Sequence, residues 1–338
     1  MFGVDLNDYD RNVYEEELRD FLPEKFIDVH VHLWEPGTRR EKTPGNVTWT
    51  SMVAPSQTYE DMETSFSQLF PGKKVGKIVM GSPNCNLSLV NPYVLKCAKE
   101  HGLPAMYCTM YDSTEEEIQS ALDAGFLGIK PYLSNAPKYI PPKEVRIFDF
   151  LTPTQLAFLD RIGGYAVLHI PRAMRLRDPV NIHQMMEIDE KYPNAKVIIC
   201  HVGRAYIPED VGDAFETLKH TKNLVFDFSA NTSDYAMEKC IEAVGTKRVM
   251  FGSDMPFTKM RMRRIGENGT YINIVPRGLY GDVSGDPHMR ESDDKDITLF
   301  MYEELRAFRR ASERLGLTRA DIEDIMYNNA SAYYGIDL

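Results

Sequence analysis

The stretch Phe26-Ile27-Asp28-Val29-His30-Val31-His32 is a short β-rich run that carries two histidines two positions apart. Side chains two apart on a strand point the same way, so His30 and His32 can share one metal ion, and imidazole is the commonest metal ligand. Taken alone, the pair fits two packed core histidines as well as it fits a metal site. Whether the pair is a metal site therefore depends on whether other strands also end in residues that can bind a metal.

Seven further β-rich runs follow the first, with helical patterns between them. The predicted strands are 26–32, 77–82, 105–110, 127–133, 165–170, 196–201, 224–228 and 248–253. The clearest predicted helices are 114–124, 178–191, 208–220, 233–244 and 299–315. Because strands alternate with helices and no glycine-rich nucleotide fingerprint follows a strand, the pattern predicts an α/β fold of the (β/α)8 TIM barrel class.

Two connections are unusually long, 34–76 after strand one and 256–297 after strand eight. Both follow the carboxyl ends of strands, where barrel active sites lie, so we expect long loops that enclose a substrate. We divide the chain into an N-terminal extension, 1–23, and a barrel, 24–338. The sequence leaves open whether the extension packs on its own barrel or on a second subunit.

The composition limits the kinds of partner that this chain is expected to bind. The formal net charge of -11 opposes binding to nucleic acid or to an anionic membrane and favours a small-molecule substrate. An anionic substrate would need a local basic site against this charge. The acidic N-terminus and five widely spaced cysteines indicate a cytoplasmic protein with reduced thiols, and a homodimer stays open.

Three other strands end on residues that can bind a metal. His169 ends strand five, His201 ends strand six, and Asp254 follows strand eight in Met250-Phe251-Gly252-Ser253-Asp254. The carboxyl ends of barrel strands converge on one pocket, so we expect these side chains to meet His30 and His32. Chance placement of all five at strand ends is the weaker explanation.

These motifs resemble the amidohydrolase superfamily, and within it the amidohydrolase-2 branch of lactonases, hydratases and decarboxylases. The resemblance covers nearly the whole chain from Phe26. It depends on the DxHxH of strand one, the two strand-ending histidines, FGSDMPF around Asp254, and Tyr327-Asn328-Asn329-Ala330-Ser331-Ala332-Tyr333-Tyr334. Together the motifs are specific to the superfamily, but they do not specify a reaction.

The resemblance implies roles for five residues. His30, His32, His169 and Asp254 match the ligands of a single divalent metal, with zinc favoured, manganese the alternative and a second metal less favoured. Asp254 would also act as the catalytic base. His201 would be the second catalytic residue, polarising the substrate or moving protons.

Lys130 and two arginines have alternative interpretations. Lys130, on strand four, is either a carboxylated bridge to a second metal shared with His201 or a cation that binds substrate, and the second is favoured. Arg172 and Arg204 each lie three residues after a strand-ending histidine. They are expected to bind a substrate carboxylate, and pairing with acidic neighbours is an equal alternative. Trp34 is either a pocket wall or plain packing.

The basic run 259–264 is expected to form a solvated face or a rim, with substrate steering as the alternative. The favoured function is metal-dependent hydrolysis of a small carboxylated or polyhydroxylated substrate, such as a lactone, ester or amide. The first alternative is non-oxidative decarboxylation of an aromatic or unsaturated acid. The second is a catalytically silent ligand-binding barrel, which the full ligand set disfavours because such residues are costly to bury without a metal.

Overall fold

The computed structural model describes residues 5–40 and 49–338 and contains the predicted barrel. Eight parallel strands pair in chain order, β1 to β8. They are β1 Lys25–Leu33, β2 Lys74–Gly81, β3 Ala105–Cys108, β4 Gly128–Lys130, β5 Tyr165–Leu168, β6 Lys196–Ile199, β7 Val225–Asp227 and β8 Val249–Met250. The (β/α)8 prediction is confirmed.

The barrel closes between the chain after β8 and strand β1. Val29 N donates to Phe251 O at 3.1 Å, and His32 N donates to Met255 O at 2.8 Å. The register of β1 shifts between Asp28 and Val31. Val29 packs in the apolar cluster inside the barrel, whereas Val31 packs in the cluster between the barrel and its helices. The bulge between them allows the side chains of His30 and His32 to face the inside of the barrel, as Val29 does.

Helices cover the outside of the barrel. The α-helices are Asp8–Asn12, Trp49–Val53, Tyr59–Leu69, Leu87–His101, Glu115–Ala124, Pro153–Ile162, Pro179–Lys191, Pro208–Val211, Ala214–Leu218, Asp234–Val244, Phe300–Leu315, Arg319–Glu323 and Asn329–Tyr334. Two π-helical segments are Val13–Leu18 and Asp324–Asn328. Short 3-10 turns are Leu133–Asn135, Ile147–Asp149, Arg175–Arg177, Thr246–Arg248 and Phe257–Lys259. No helix among the described residues is both long and apolar enough to span a bilayer.

The predicted helix 208–220 is two helices in the structure. Gly212, with φ 51° and ψ -131°, separates Pro208–Val211 from Ala214–Leu218 because this backbone conformation cannot continue a helix. The helix predicted at 114–124 forms as expected. Thr114 and Glu117 make a capping box, and Gly125 ends the helix with φ 119°.

The connection after β8 is an ordered insertion. It forms a three-stranded sheet of β9 Arg263–Glu267, β10 Thr270–Pro276 and β11 Met289–Ser292. The connection after β1 contains the helices Trp49–Val53 and Tyr59–Leu69, and its residues 41–48 lie outside the described part of the chain. Both connections contribute residues to the cavity at the carboxyl ends of the strands, where the sequence predicts long loops.

The segment before β1 packs on the barrel of its own chain; its residues 1–4 lie outside the described residues. Tyr14 stacks on Tyr302 with ring centroids 6.0 Å apart. Buried Asp10 accepts from Arg261 Nη1 at 2.8 Å. The basic run 259–264 is thus no solvated face, because Arg261 joins this ion pair and Arg264 lines the cavity.

Candidate active site

The two histidines of β1 are oriented through their Nδ1 atoms. His30 Nδ1 lies 3.1 Å from Asp227 Oδ2, and His32 Nδ1 lies 3.0 Å from the main-chain oxygen of Gly81. These acceptors place the ring proton on Nδ1 in each case, so each ring presents its Nε2 lone pair on the opposite side. Burial, and next the charge of Lys130, lowers the pKa of His30 to about 3, so its ring is neutral.

Asp254 follows β8, and its side chain lies beside the Nε2 atoms of His30 and His32. Its carboxylate Oδ1 lies 3.1 Å from His32 Nε2 and 3.6 Å from His30 Nε2. Its backbone has φ 62°, and its amide donates to His30 O at 2.8 Å, which fixes the turn. Burial acts to raise its pKa, but the interactions with His32 and with the other neighbouring histidines outweigh burial and hold the pKa below its usual value.

His201 begins a left-handed turn. Four consecutive residues, His201, Val202, Gly203 and Arg204, have φ of 60°, 48°, 61° and 63°. The His201 Nδ1 atom lies 2.8 Å from the main-chain oxygen of Ser229, so Nδ1 carries the proton and Nε2 is an acceptor. Burial also lowers the pKa of His201, which favours its neutral form.

His169 lies directly after β5 and lines the same cavity. Its ring centroid is 5.0 Å from that of His201 and 4.9 Å from that of Tyr132. Burial, and next the charge of Arg204, lowers its pKa well below the usual value. Its buried Nδ1 atom has no hydrogen-bond partner among the described residues. His169 therefore lacks the orienting contact that His30, His32 and His201 have.

Lys130 ends β4 and is fully buried beside the histidines. Its Nζ lies 3.2 Å from His30 Nε2 and 3.3 Å from Cys200 Sγ. Its ammonium thus occupies the lone pair that His30 would offer to a metal. The ligand atoms of His30, His32 and Asp254 lie within 4.8 Å of one another, as do those of His30, Cys200 and His201.

A cavity of about 170 Å³ opens over these groups. Its aromatic walls come from the two long connections and from the chain after β4 and β6: Trp49, Tyr132, Tyr206, Phe257 and Tyr271. Arg204 lines the cavity, and its contact with a substrate stays a prediction. Arg172 and Trp34 are not part of its lining: Arg172 donates to Asp178 Oδ1 at 2.8 Å, and Trp34 is buried behind Phe257, with ring centroids 5.9 Å apart.

Sequence reasoning did not select Asp227, and it considered Arg264 only as part of the basic run 259–264. Asp227 ends β7, and it links the site by accepting from His30 Nδ1 and from His201 N at 2.8 Å. Burial acts to raise its pKa, but His30 and His201 hold the pKa below its usual value. The strand-end rule that selects His169 would have selected Asp227 as well. Arg264 had no such signal, because it reaches the cavity from the insertion.

The model of the family described as Amidohydrolase matches residues 27–272, the part of the chain that holds every group above. The chain belongs to the amidohydrolase family. A comparison with curated proteins gave no match.

Solved structures similar to this amidohydrolase share its fold at low sequence identity. A probable 2-pyrone-4,6-dicarboxylic acid hydrolase from Acinetobacter baumannii with bound citric acid has a TM-score of 0.57 at 15% identity, covering 92% of this chain and 99% of its own. A Burkholderia multivorans amidohydrolase with bound zinc has a TM-score of 0.58 at 12% identity, covering 92% and 99%. 2,6-Dihydroxybenzoate decarboxylase from Rhizobium has a TM-score of 0.56 at 14% identity, covering 92% and 98%.

The donor set of this amidohydrolase fits a divalent metal. Two imidazoles present Nε2 towards a carboxylate oxygen, and each Nδ1 is held by an acceptor behind it. Such outer contacts fix the ring and raise the basicity of the ligand atom. One feature opposes a bound cation, the Lys130 ammonium on His30 Nε2. Metal binding would require Lys130 to withdraw or to lose its charge.

Proposed function

We propose that this amidohydrolase is a metal-dependent hydrolase of a small carboxylated or polyhydroxylated substrate, such as a lactone, ester or amide. The observation that carries the proposal is the convergence of His30 Nε2, His32 Nε2 and Asp254 Oδ1 at the floor of the cavity. His169 would be the fourth ligand. A divalent metal held there, zinc in preference to manganese, supplies Lewis-acid polarisation of a carbonyl and a lowered pKa of water.

The protein's own residues then handle the protons. Asp254 is a carboxylate at neutral pH because its pKa is held low, so it can accept a proton from an attacking water. The free Nε2 of His201 supports a role as a relay, which would take over the proton that Asp254 accepts from water and pass it to the leaving group. Arg204 would orient a substrate carboxylate, since its guanidinium lines the cavity.

Decarboxylation is the second candidate, and the aromatic walls favour it. Phe257 and Tyr132 offer apolar faces that suit an aromatic acid, and the same cationic groups would bind its carboxylate. Decarboxylation requires a group that delivers a proton to carbon. Because the pKa of Asp254 is held low, this residue is ionised at neutral pH and suits proton acceptance in hydrolysis better than proton donation. A silent barrel would bind such ligands without converting them.

The test uses metal-loaded protein and a panel of small lactones, esters and amides that carry a carboxylate. Hydrolysis is detected as acid release together with incorporation of ¹⁸O from labelled water into the product. Asp254→Asn should lower kcat by about 10²-fold to 10⁴-fold, as expected for loss of a general base. Asp282→Asn, at an exposed site in the insertion, is the control. Turnover that survives Asp254→Asn would contradict the proposal, and carbon dioxide release without ¹⁸O uptake would favour decarboxylation.

A further inference from the structure

Arg264 reaches the cavity from β9, the first strand of the inserted sheet. Its Nε donates to Asn273 Oδ1 and its Nη1 to Ala230 O, both at 2.9 Å. Both acceptors are neutral oxygens. Among residues 5–40 and 49–338, the structure shows no hydrogen bond from Nη2 and no ion pair to this guanidinium.

Aromatic rings hold the Arg264 guanidinium in place. Its central carbon lies 4.9 Å from the ring centroid of Tyr206, 4.5 Å from that of Tyr271 and 4.5 Å from that of Phe300. Tyr206 and Tyr271 line the cavity as well. A guanidinium fixed in this way is preorganised, because little side-chain entropy remains to be lost when an anion binds.

Arg204 is the second guanidinium of the cavity, and it too contacts only neutral oxygens. Its Nη1 donates to the main-chain oxygens of Arg172 at 2.9 Å and of Ile170 at 3.3 Å. Its buried Nε has no partner within the described residues. Tyr206 is one of the three rings that the Arg264 guanidinium faces. Burial raises the pKa of Tyr206 to about 12, and the charges of both Arg204 and Arg264 oppose this rise. Both cations therefore lie near this tyrosine of the cavity wall.

The charges of the cavity lining do not balance. The lining contains the cations Lys130, Arg204 and Arg264 and one carboxylate, Asp254. The acid near Arg264 outside the lining is Glu304, and burial raises its pKa well above the usual value, which favours its neutral form. Neither Arg204 nor Arg264 has a carboxylate partner among the described residues. Buried cations without counter-ions are costly, so these two guanidinium groups favour a ligand with two negative charges.

We propose that the substrate is a dianion with two separate carboxylates, one bound by Arg204 and the other by Arg264, and that Arg264 selects for the second carboxylate. The inference depends on the proposed function only in taking this cavity as the substrate site. In this arrangement the barrel provides Arg204 and the residues that move protons. The insertion provides Arg264, the residue that determines specificity.

The experiment measures binding of isophthalate and benzoate, which share a ring and differ by one carboxylate, by calorimetry at one fixed metal loading. Wild-type protein should bind isophthalate at least about tenfold more tightly than benzoate, as expected for one added charge-assisted contact. Arg264→Gln should remove most of that preference while benzoate affinity changes little. Arg264→Lys should keep only part of it, because an ammonium lacks the bidentate fork.

Arg263→Gln is the matched control. Arg263 is the neighbouring residue on β9, carries the same charge, is 46% exposed and pairs with Asp294 at 2.9 Å. Arg263→Gln should keep the wild-type preference for isophthalate over benzoate. This result would show that the preference comes from direct contact with Arg264 and not from the net positive charge of β9. Equal affinity of wild-type protein for the two probes, or a preference that survives both Arg264 variants, would overturn the inference. Because the assay needs no turnover, loss of hydrolysis in the activity test leaves this result unaffected.

Discussion

At the scale of single residues, His30 depends on Asp227, whose Oδ2 accepts from His30 Nδ1 at 3.1 Å. Asp227→Asn keeps the shape and an oxygen acceptor but removes the charge that fixes the ring. Loss of such a partner typically lowers metal affinity by about 10-fold to 100-fold, and we expect that range here. Competition with a chromogenic zinc chelator measures it.

Asp178→Asn is the control for this variant. Asp178 is also buried and pairs with Arg172 outside the cavity lining, and asparagine keeps its role as a helix cap. It should leave zinc affinity unchanged. Equal zinc affinity of Asp227→Asn and wild-type protein would show that the Asp227–His30 contact does not orient a metal ligand.

Lys130 opposes metal binding if it is an ammonium, because its Nζ lies 3.2 Å from His30 Nε2. Lys130→Met should then raise zinc affinity by at least about tenfold, since repulsion between charges of +1 and +2 near 4 Å exceeds ~1.4 kcal/mol at an effective dielectric of about 20. Lys196→Met, at the opposite end of a barrel strand, is the control. A fall in bound metal, with wild-type loading that depends on bicarbonate, would instead identify a carboxylated lysine.

Strand-end position made much of the site predictable from sequence. His30, His32, His169, His201 and Asp254 all line one cavity because parallel strands converge at their carboxyl ends. The hydrogen bonds that orient them were not predictable. For His32 and His201 they come from main-chain oxygens of Gly81 and Ser229, which carry no sequence signal.

At the scale of elements, the left-handed turn at 201–204 holds His201 and Arg204 in the cavity. Gly203 has φ 61°, and a Cβ atom there would lie 2.5 Å from Leu176 Cδ1. Gly203→Ala should therefore lower the free energy of unfolding by about 1–3 kcal/mol through backbone strain and overpacking. Urea unfolding of the metal-free protein measures the change. Gly285→Ala, which has open space and no positive φ, should cost little; equal stabilities of the two variants would refute the argument.

Elements were predictable where a local signal exists. The helix Glu115–Ala124 carries its own cap and stop, and each of the eight strands appears in its predicted place, though strand β8 is only Val249–Met250. The predicted strand 248–253 was too long, because the chain leaves the sheet after Met250 and turns at Asp254, which has a positive φ. The inserted sheet was not predicted, since its strands pair with one another outside the barrel pattern.

At the scale of the whole molecule, buried neutral histidines link stability to pH. Burial lowers the pKa of His169 in the folded protein, whereas an unfolded histidine titrates near 6.5. Below that pH the unfolded chain binds the extra proton, so this stability is present at neutral pH and falls by about 1.4 kcal/mol per pH unit as the solution is acidified. His169→Gln should flatten the pH dependence of unfolding by that amount.

Denaturant unfolding of metal-free protein between pH 5 and pH 8, about the range in which an unfolded histidine titrates, measures this difference. His183→Gln, at a helix surface position that is 80% exposed, should follow the wild-type pH dependence. If His169→Gln also follows it, His169 does not stay neutral in the folded protein.

We propose that the groups at the floor of the cavity hold one catalytic metal. Metal content per chain, measured by plasma mass spectrometry on protein purified without chelator, tests this proposal. We predict about one equivalent of zinc or manganese in wild-type protein, and much less in His30→Asn and Asp254→Asn, which remove ligands. Wild-type protein that holds no metal, even after zinc or manganese is added back, would contradict the account.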